Sequence, residues 1–244
     1  MNNYKLTIQY DGTNYSGWQI QENAVTIQQK IRDGINLILK DQVNLIGSGR
    51  TDTGVHALGQ VANFQTEHEI DLYKFTYSLN SILSEDISIT NSEKVELDFH
   101  SRFSARTRSY LYLLAHKKSP FYKNYSMEYP DLSSQQILHL NKLSEVLLGE
   151  NDFTSFSRKN EEVNNKICNV KNIHWRKTGT FTLFYIEADR FLHGMVRTIV
   201  GTLLYAQKNN FDESYLKEIL ENKDRESAGQ AVLAKGLFLY KVRY

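Results

Sequence analysis

The sequence predicts an α+β protein in which an antiparallel or mixed sheet is backed by helices. Alternating apolar stretches, which are typical of strands, are interleaved with amphipathic stretches, which are typical of helices. Strands with two helices occur in this order twice, although no residue-level repeat is visible. A chain of 244 residues suits one domain or two closely fused halves. We therefore expect two α+β halves, 1–104 and 105–244.

The first half begins with "YKLTIQY", an alternating strand pattern that ends at the turn formers "DGTNYSG". Four isoleucines at helical spacing follow a threonine N-cap in "TIQQKIRDGINLILK" and predict a helix. Two strands, "QVNLIGSG" and "ALGQVANFQT", then bracket a polar loop, and "LYKFTYSLNSIL" predicts a second helix.

In the second half, both prolines fall in "SPFYKNYSMEYPDL", which we expect to be an excursion between the halves. The other elements, in chain order, are predicted to be a long strand "SARTRSYLYLLAHK", a helix from Gln135 to Leu148, strands "IHWRKT" and "FTLFYIEA", a helix "FLHGMVRTIVGTLLYAQ", a short helix from Asp212 to Leu220 and a last strand "GLFLYKVRY".

The composition is that of a soluble globular protein, with 41% hydrophobic and 23% charged residues. The N-terminus passes directly into a strand pattern without a signal segment, so we expect a cytoplasmic protein with no membrane partner. The single cysteine, Cys168, cannot form an intramolecular disulfide, and no Cys/His spacing suggests a metal site.

The net charge of +1 argues at first sight against a nucleic-acid partner, since most such proteins carry a basic excess. The charges are nevertheless segregated along the chain. "RFSARTRSYLY" holds three arginines and no acid, whereas acids gather in "HEIDLYK", "LSEDISI" and "NEEV", which we expect to be loops and helix ends.

The stretch "IGSGRTDTGVHALGQ" carries one carboxylate, Asp52, and "DTG" is also the tripeptide of aspartic proteases. Those sites need two carboxylates that share a proton, but the nearby charge of Arg50 favours the ionised form of Asp52. In addition, no second "DTG" or "DSG" occurs. "YDGT" faintly resembles an aspartyl-phosphate phosphatase motif, but Thr13 stands where the second acid is needed. Both interpretations therefore lack a required residue.

Two interpretations of Asp52 remain. The loop could be a simple turn, because turns select Asp, Gly and Thr for local hydrogen bonding. Alternatively, Asp52 is a nucleophile or electrostatic partner at a glycosidic carbon, with an arginine that keeps it charged when substrate buries it. Arg50, Asp52 and His56 occur within seven residues between two expected strands, which favours function.

Arg197 is a candidate for that arginine, since it lies off the apolar stripe of its predicted helix. Gly194 and Gly201 are small enough for another backbone to approach it, although a solvated surface position is the common alternative. On the long strand, Arg106, Arg108 and Tyr110 share a face with Tyr112, which suits RNA phosphates and unstacked bases. The alternative is that the tyrosines belong to the core.

Six motifs across nearly the whole chain resemble the tRNA pseudouridine synthase A family; they are "YDGTNYSGWQIQ", "GSGRTDTGVHALGQV", "DFHSRFSARTRSYLY", "NDFTSFS", "FLHGMVRTIVGTLL" and "AKGLFLYKVRY". The resemblance implies the pseudouridine synthase fold, with two ferredoxin-like (RRM-like) halves that form a long mixed or antiparallel sheet. It implies an isomerase that needs no cofactor or metal and converts uridine to pseudouridine in the anticodon arm of tRNA, at tRNA positions 38, 39 and 40. A homodimer with a basic cleft is also implied.

The resemblance also assigns roles to residues. Asp52 is the expected nucleophile, Arg197 its paired cation and Tyr110 the ring that stacks on the target uracil. Arg50 is expected to help hold the flipped nucleotide, and Leu237 or Leu239 to supply an apolar wall. We also expect His56, Arg106 and Arg108 to bind substrate.

The sequence departs from the family pattern at Thr53, at Asn151 and in "GQAVLAKG", which lacks the usual prolines. These departures bear on the C-terminal loop and on the target uridines. An alternative function is a non-catalytic RNA-binding module that uses the same basic and aromatic face.

Overall fold

A computed structural model of the chain describes residues 1–158 and 165–244, which contain ten strands and five α-helices. The acidic segment "NEEV", 160–163, lies outside the described residues. The chain forms two compact units, one of Met1–Arg106 with Phe238–Tyr244 and one of Thr107–Leu237. No helix in the described ranges is long and apolar enough to cross a membrane.

The first unit has the element order of a ferredoxin-like fold, with two helices between its strands. Its elements are β1 (Asn2–Tyr10), α1 (Ile27–Leu39), β2 (Ile46–Gly47), β3 (His56–Thr66), α2 (Leu72–Ile82), β4 (Ile87–Val95) and most of β10 (Leu237–Arg243). The strands follow the order β4-β1-β3-β10, and β2 also pairs with β3. The β10–β3 pairing is parallel, whereas β1 pairs antiparallel with β3 and β4.

Local chemistry explains where the helices of this unit begin. The Thr26 hydroxyl accepts a hydrogen bond from the backbone N–H of Gln29 and caps α1, as the sequence predicts. Ile27, Ile31 and Ile35 follow one another at four-residue steps and form the buried side of α1. Asp71 caps α2 in the same manner by accepting from the N–H of Lys74.

The second unit also combines a sheet with helices, but its described residues form three α-helices. Its elements are β5 (Thr107–Ala115), β6 (Met127–Glu128), α3 (Ser134–Glu145), β7 (Gly149–Asp152), β8 (Ile167–Thr178), β9 (Phe181–Ala188), α4 (Met195–Lys208) and α5 (Glu213–Asn222). Its strands follow the order β5-β9-β8-β7, and β6 pairs in parallel with β5. The predicted α+β class, with a mixed sheet backed by helices, is confirmed.

Several predicted elements differ in detail. The strand "QVNLIGSG" is reduced to Ile46–Gly47, and "LSEDISI" is only partly loop, since β4 starts at Ile87. The proline segment lies inside the second unit and contains β6, contrary to the expected excursion between halves. The last strand was expected in the 105–244 half, but most of it belongs to the first unit, where Phe238 and Leu239 pair with β3.

The helix predicted over "FLHGMVRTIVGTLLYAQ" begins only at Met195. Gly194 is the N-cap residue and has a φ of 75°, a left-handed conformation that interrupts the helix. Residues 191–194 therefore lie before the helix. His193 therefore precedes the helix that carries Arg197.

Candidate active site

Asp52 lies in the loop 48–55, between β2 and β3 of the first unit. The aspartate is half-buried, while Arg50 and Thr53 beside it are exposed. The Asp52 carbonyl accepts a hydrogen bond from the N–H of Val55 at 3.1 Å, which closes the loop on itself. A hydrogen bond within the loop thus supports the turn that carries the carboxylate.

The base of this loop is fixed by β3. The backbone N–H of Ser48 donates to the Val61 carbonyl at 2.7 Å, and its hydroxyl donates to Oε1 of Gln60 at 2.6 Å. The Gln60 side chain also donates through Nε2 to the Gly49 carbonyl at 3.0 Å. Ser48 and Gln60 are both buried, so these bonds are shielded from competing water.

Thr51, next to the aspartate, is held by the segment that follows β1. Its hydroxyl bonds to the Tyr10 hydroxyl at 2.8 Å, and its carbonyl accepts from the N–H of Trp18 at 3.1 Å. Thr51 is buried, and the Tyr10 and Trp18 rings lie 6.1 Å apart beside it. Asp52 therefore follows directly after a rigidly held residue.

Two glycines of "YDGTNYSGW" allow this segment to approach the loop. A Cβ at Gly12 would lie 2.0 Å from the Val55 carbonyl oxygen, and one at Gly17 would lie 2.5 Å from that of Thr51. Gly17 also has a φ of 86°, a conformation that glycine adopts readily. The turn formers after β1 thus serve as the support of the Asp52 loop, a role that the sequence analysis missed.

His56 is buried at 1% exposure and lies beneath this loop. Its Nδ1 is 3.1 Å from the Gly12 nitrogen and 3.1 Å from Oδ1 of Asp11. Nδ1 accepts from the Gly12 N–H when it carries no hydrogen and donates to Asp11 when it carries one, so one of the two contacts forms at a time. The ring also stacks on Phe238 at 4.7 Å. This position suits support of the loop better than contact with a large substrate.

Arg197 lies on α4 in the second unit and is half-buried. Its Nε donates to the Val232 carbonyl at 2.7 Å, and its own carbonyl accepts from the Val232 N–H at 3.2 Å. The prediction that small neighbours admit another backbone is confirmed at Gly201, where a Cβ would lie 1.9 Å from the Gln230 carbonyl oxygen, but not at Gly194, where a Cβ would meet only the Arg158 side chain at 3.8 Å. The pairing of Arg197 with a carboxylate stays a prediction.

The two tyrosines on β5 have different environments. Tyr110 is 8% exposed and meets the Phe191 ring edge-on at 5.0 Å. Tyr112 is fully buried and donates from its hydroxyl to the Leu233 carbonyl at 2.8 Å. Burial raises the pKa of the Tyr112 hydroxyl well above its usual range, an effect that the charge of Arg197 partly opposes. The interpretation of Tyr112 as a platform for bases is therefore wrong; it is a core residue.

The remaining candidates are divided between the units. Arg106 is exposed in the first unit, just before β5, and its N–H donates to the Arg243 carbonyl at 2.8 Å. Arg108, in the second unit, is half-buried and donates through Nη1 to the Asp189 carbonyl at 3.1 Å. Leu237 is buried where β10 begins. Within the described ranges, no group of three or more His, Cys, Asp or Glu side chains is arranged to hold a metal.

Comparison with known families decides the identity. The family model described as tRNA pseudouridine synthase matches residues 6–104 and 143–244. The chain belongs to the tRNA pseudouridine synthase A family. As a member of it, the protein is a tRNA pseudouridine synthase, an isomerase that makes pseudouridine in tRNA. The matched residues include Asp52 and Arg197, whereas Tyr110 lies in the unmatched stretch.

Relatives in this family align over their full length. The chain is 44% identical to tRNA pseudouridine synthase A of Caldicellulosiruptor saccharolyticus and 40% identical to that of Thermoanaerobacter sp. (strain X514), covering 100% of both chains in each case. A chain from a solved Cbf5-Nop10-Gar1 complex is 12% identical to this chain, with a TM-score of 0.37 over 82% of this chain and 53% of that one. The alternative of a non-catalytic RNA-binding module is not supported by these findings.

The departures from the family pattern fall at positions that the fold accommodates. Thr53 is exposed beside Asp52, and Asn151 lies in β7, where its side chain donates to the Leu148 carbonyl at 3.0 Å. In the proline-free segment before β10, the Gly229 N–H donates to the Thr202 hydroxyl at 2.9 Å. Together with the Arg197–Val232 bonds, this contact fixes the segment on α4 without prolines.

Proposed function

We propose that the protein isomerises uridine at tRNA positions 38, 39 and 40 in the anticodon arm, with Asp52 as the nucleophile. The observation that carries this proposal is the rigid Asp52 loop, whose neighbouring residue Thr51 is held by Tyr10 and Trp18. A nucleophile fixed in this manner needs little reorganisation when substrate arrives. The membership of the family supplies the reaction, and the loop supplies the residue that performs it.

The isomerisation conserves both electrons and atoms. The bond from N1 of uracil to C1′ of the ribose breaks, a bond from C5 to C1′ forms, and the proton that leaves C5 is matched by one gained at N1. The carboxylate of Asp52 acts as the nucleophile that allows the base to detach, whether it attacks the sugar or the ring. The chemistry requires no redox cofactor, and we propose that none takes part.

The other residues take roles that follow from their chemistry. Arg197 is the cation that keeps Asp52 charged when the substrate excludes water, because desolvation otherwise favours the neutral acid. Tyr110 stacks on the target uracil and Leu237 forms an apolar wall. Arg50 helps to hold the flipped nucleotide, and stacking on Tyr110 offsets an unstacking cost of a few kcal/mol.

The basic residues near β5 bind the backbone of the RNA. Arg106 is exposed, and Arg108 is half-buried with Nη1 on a carbonyl, so Arg106 is the better candidate for a phosphate contact. His56 acts as a positioning residue below the loop. We further propose that the protein works in the cytoplasm as a homodimer, as the family resemblance implies.

The test is the replacement Asp52→Asn, which keeps the shape of the side chain and removes its charge. Pseudouridine formation at positions 38, 39 and 40 of a tRNA transcript should fall at least roughly 10³-fold, because a nucleophile is lost. The affinity for tRNA should persist. The control is Asp33→Asn, which removes an exposed carboxylate on α1 of the same unit. Full activity of Asp52→Asn, or pseudouridine only outside the anticodon arm, would contradict the proposal.

A further inference from the structure

An exposed loop of the second unit, 117–125, combines cations and aromatic rings without an acid. It reads "KKSPFYKNY" and holds three lysines and three aromatic residues. Phe121 is 82% exposed, Tyr122 44% and Tyr125 38%, and all three lysines are exposed as well. Phe121 is among the most exposed large apolar side chains of the described residues, and neighbouring exposed apolar groups can mark a binding site.

The loop is held in place by its own contacts. The Tyr122 ring meets the Phe181 ring of β9 edge-on at 5.0 Å, and the Tyr122 carbonyl accepts from the N–H of Tyr125 at 3.0 Å. The same carbonyl accepts from the Ser126 hydroxyl at 2.9 Å, and the N–H of Phe121 donates to the Ser119 hydroxyl at 3.3 Å. Phe121 is therefore presented to solvent from an anchored turn, at a lower entropic cost of binding.

The positive charge of the loop is not neutralised locally. Among the residues that the structure describes, Lys117, Lys118 and Lys123 form no ion pair with a carboxylate. Lys235 adds a further ammonium group, since its Nζ donates to the Lys123 carbonyl at 2.7 Å. Three exposed lysines thus share a nine-residue loop with an exposed ring, although the whole chain has a net charge of only +1.

The hydrogen bond from Lys235 to Lys123 connects the loop to the segment that also bonds to Arg197. Lys235 lies two residues after Leu233, whose carbonyl accepts the Tyr112 hydroxyl at 2.8 Å. Val232, the preceding residue, bonds to Arg197 through both its carbonyl and its N–H. The loop and Arg197 are thus joined through one short segment, 232–235, of the second unit. RNA that reaches Arg197 would approach this loop.

We propose that the 117–125 loop with Lys235 is a second tRNA-binding surface, at which Phe121 stacks on an unpaired base and the lysines contact phosphates. Exposed aromatic rings beside cations fit nucleic acid, because every base has a face for stacking and every nucleotide a phosphate. The family model leaves 105–142 unmatched, so the match does not account for this loop. The inference rests on the proposed function, which makes tRNA the ligand.

The experiment compares three forms of the full chain: unaltered protein, a loop variant and a charge-matched control. The loop variant carries Lys117→Gln, Lys118→Gln and Lys123→Gln. The control carries Lys171→Gln, Lys208→Gln and Lys217→Gln, three exposed lysines of the same unit. The Kd of each for a tRNA transcript is measured at several salt concentrations, and pseudouridine formation is measured with increasing tRNA.

The loop variant should bind tRNA roughly tenfold more weakly at moderate salt, with a log Kd against log salt slope flatter by about 2 to 3. Its KM should rise while kcat at saturating tRNA stays unchanged, and the control should match the unaltered protein. Phe121→Ala should weaken binding roughly fivefold or more, and Phe121→Trp should retain it. Thermal unfolding should be unchanged, since these side chains are exposed.

Equal Kd values for the loop variant and the unaltered protein would overturn the inference, as would an equal loss in the control. Unchanged tRNA binding together with loss of binding to anionic phospholipid vesicles, or of a protein contact, would overturn it in favour of another partner. Failure of the proposed function is distinguishable, because Asp52→Asn would then keep full activity, or pseudouridine would form only outside the anticodon arm, whatever the loop does to binding.

Discussion

At the scale of single residues, Tyr110 and Tyr112 lie two positions apart on one strand, and we expect their replacements to have different effects. Tyr112 is fully buried with its hydroxyl on the Leu233 carbonyl. Tyr112→Phe should lower the free energy of unfolding by about 0.5–1.5 kcal/mol, because the hydrogen bond from the buried ring to the Leu233 carbonyl is lost. Denaturant unfolding measures this loss, and kcat should remain close to that of the unaltered protein.

Replacements of Tyr110 should show the opposite pattern. Tyr110→Phe keeps the ring and should keep KM for tRNA, whereas Tyr110→Ala should raise KM roughly 5- to 100-fold through lost stacking. Steady-state kinetics with a tRNA transcript separate the two replacements. Equal losses in Phe and Ala variants would mean that the hydroxyl matters and that stacking is not the main role.

At the scale of elements, the turn after β1 determines where the Asp52 loop can lie. Gly17→Ala would place a Cβ 2.5 Å from the Thr51 carbonyl oxygen and force φ 86° on an alanine. The loop should shift by a fraction of an ångström or more, and kcat/KM should fall by up to roughly 10²-fold. Activity and thermal unfolding are measured together, so that displacement is distinguished from unfolding.

Gly149→Ala is the matched control for this replacement. Gly149 has a φ of 80°, but nothing lies within 4 Å of an added Cβ. Both variants should lose about 1–2 kcal/mol of stability from the left-handed backbone. Only Gly17→Ala should lose activity, because only there does the methyl group meet the loop that carries Asp52. Equal activity losses would mean that backbone strain alone is responsible.

The elements differ in how far the sequence could predict them. The threonine cap and the isoleucine spacing predicted α1 because both signals are local. β4 was missed because only Ile87 and Ile89 alternate before the polar run "NSEKV". Val43 and Leu45 suggested a longer β2, but their burial comes from packing, and only Ile46 and Gly47 pair with β3. Burial and strand pairing give the same apolar pattern in so short a stretch.

For the candidate site, one motif predicted Asp52, Arg50 and His56, but not the residues that support them. Tyr10 and Thr51 bond across 41 residues, and Gln60 reaches back 11 residues to Gly49. Such contacts are not visible in local spacing. The glycines and Trp18 of "YDGTNYSGW" were the available signal, since a cluster of glycines beside an aromatic residue suggests close backbone approach.

At the scale of the whole molecule, the balanced net charge hides local differences that decide how RNA is bound. The chain has 29 basic and 28 acidic residues, so no long-range attraction to tRNA follows from the total. We expect the exposed cations of the 117–125 loop, Arg50 and Arg106 to act locally instead. At physiological salt, charges farther apart than about 8 Å are largely screened, so the local arrangement outweighs the sum.

Stability against alkaline unfolding depends on buried side chains that can lose a proton at high pH, and the thiol of Cys168 is one of them. The thiol is fully buried on β8, and burial raises its pKa from 9.0 to about 12, with the charge of Arg190 opposing the rise. Below pH 9 the thiol is protonated in both states and its effect on stability is constant. Between about pH 9 and 12 the unfolded chain ionises while the folded protein keeps the proton, so stability falls as pH rises.

Cys168→Ala should isolate this contribution. The variant should lose a fixed amount of stability from the smaller side chain, but its free energy of unfolding should decline less steeply than that of the unaltered protein from pH 8 to pH 10. Denaturant unfolding at each pH measures both slopes, and the tyrosines and lysines cancel because both proteins contain them. In the unaltered protein at pH 8, iodoacetamide should modify Cys168 only as fast as the surrounding sheet opens, because the folded thiol is both buried and protonated. Parallel pH profiles, or modification at the rate of a free thiol, would show that Cys168 is accessible or that its pKa is not raised by burial.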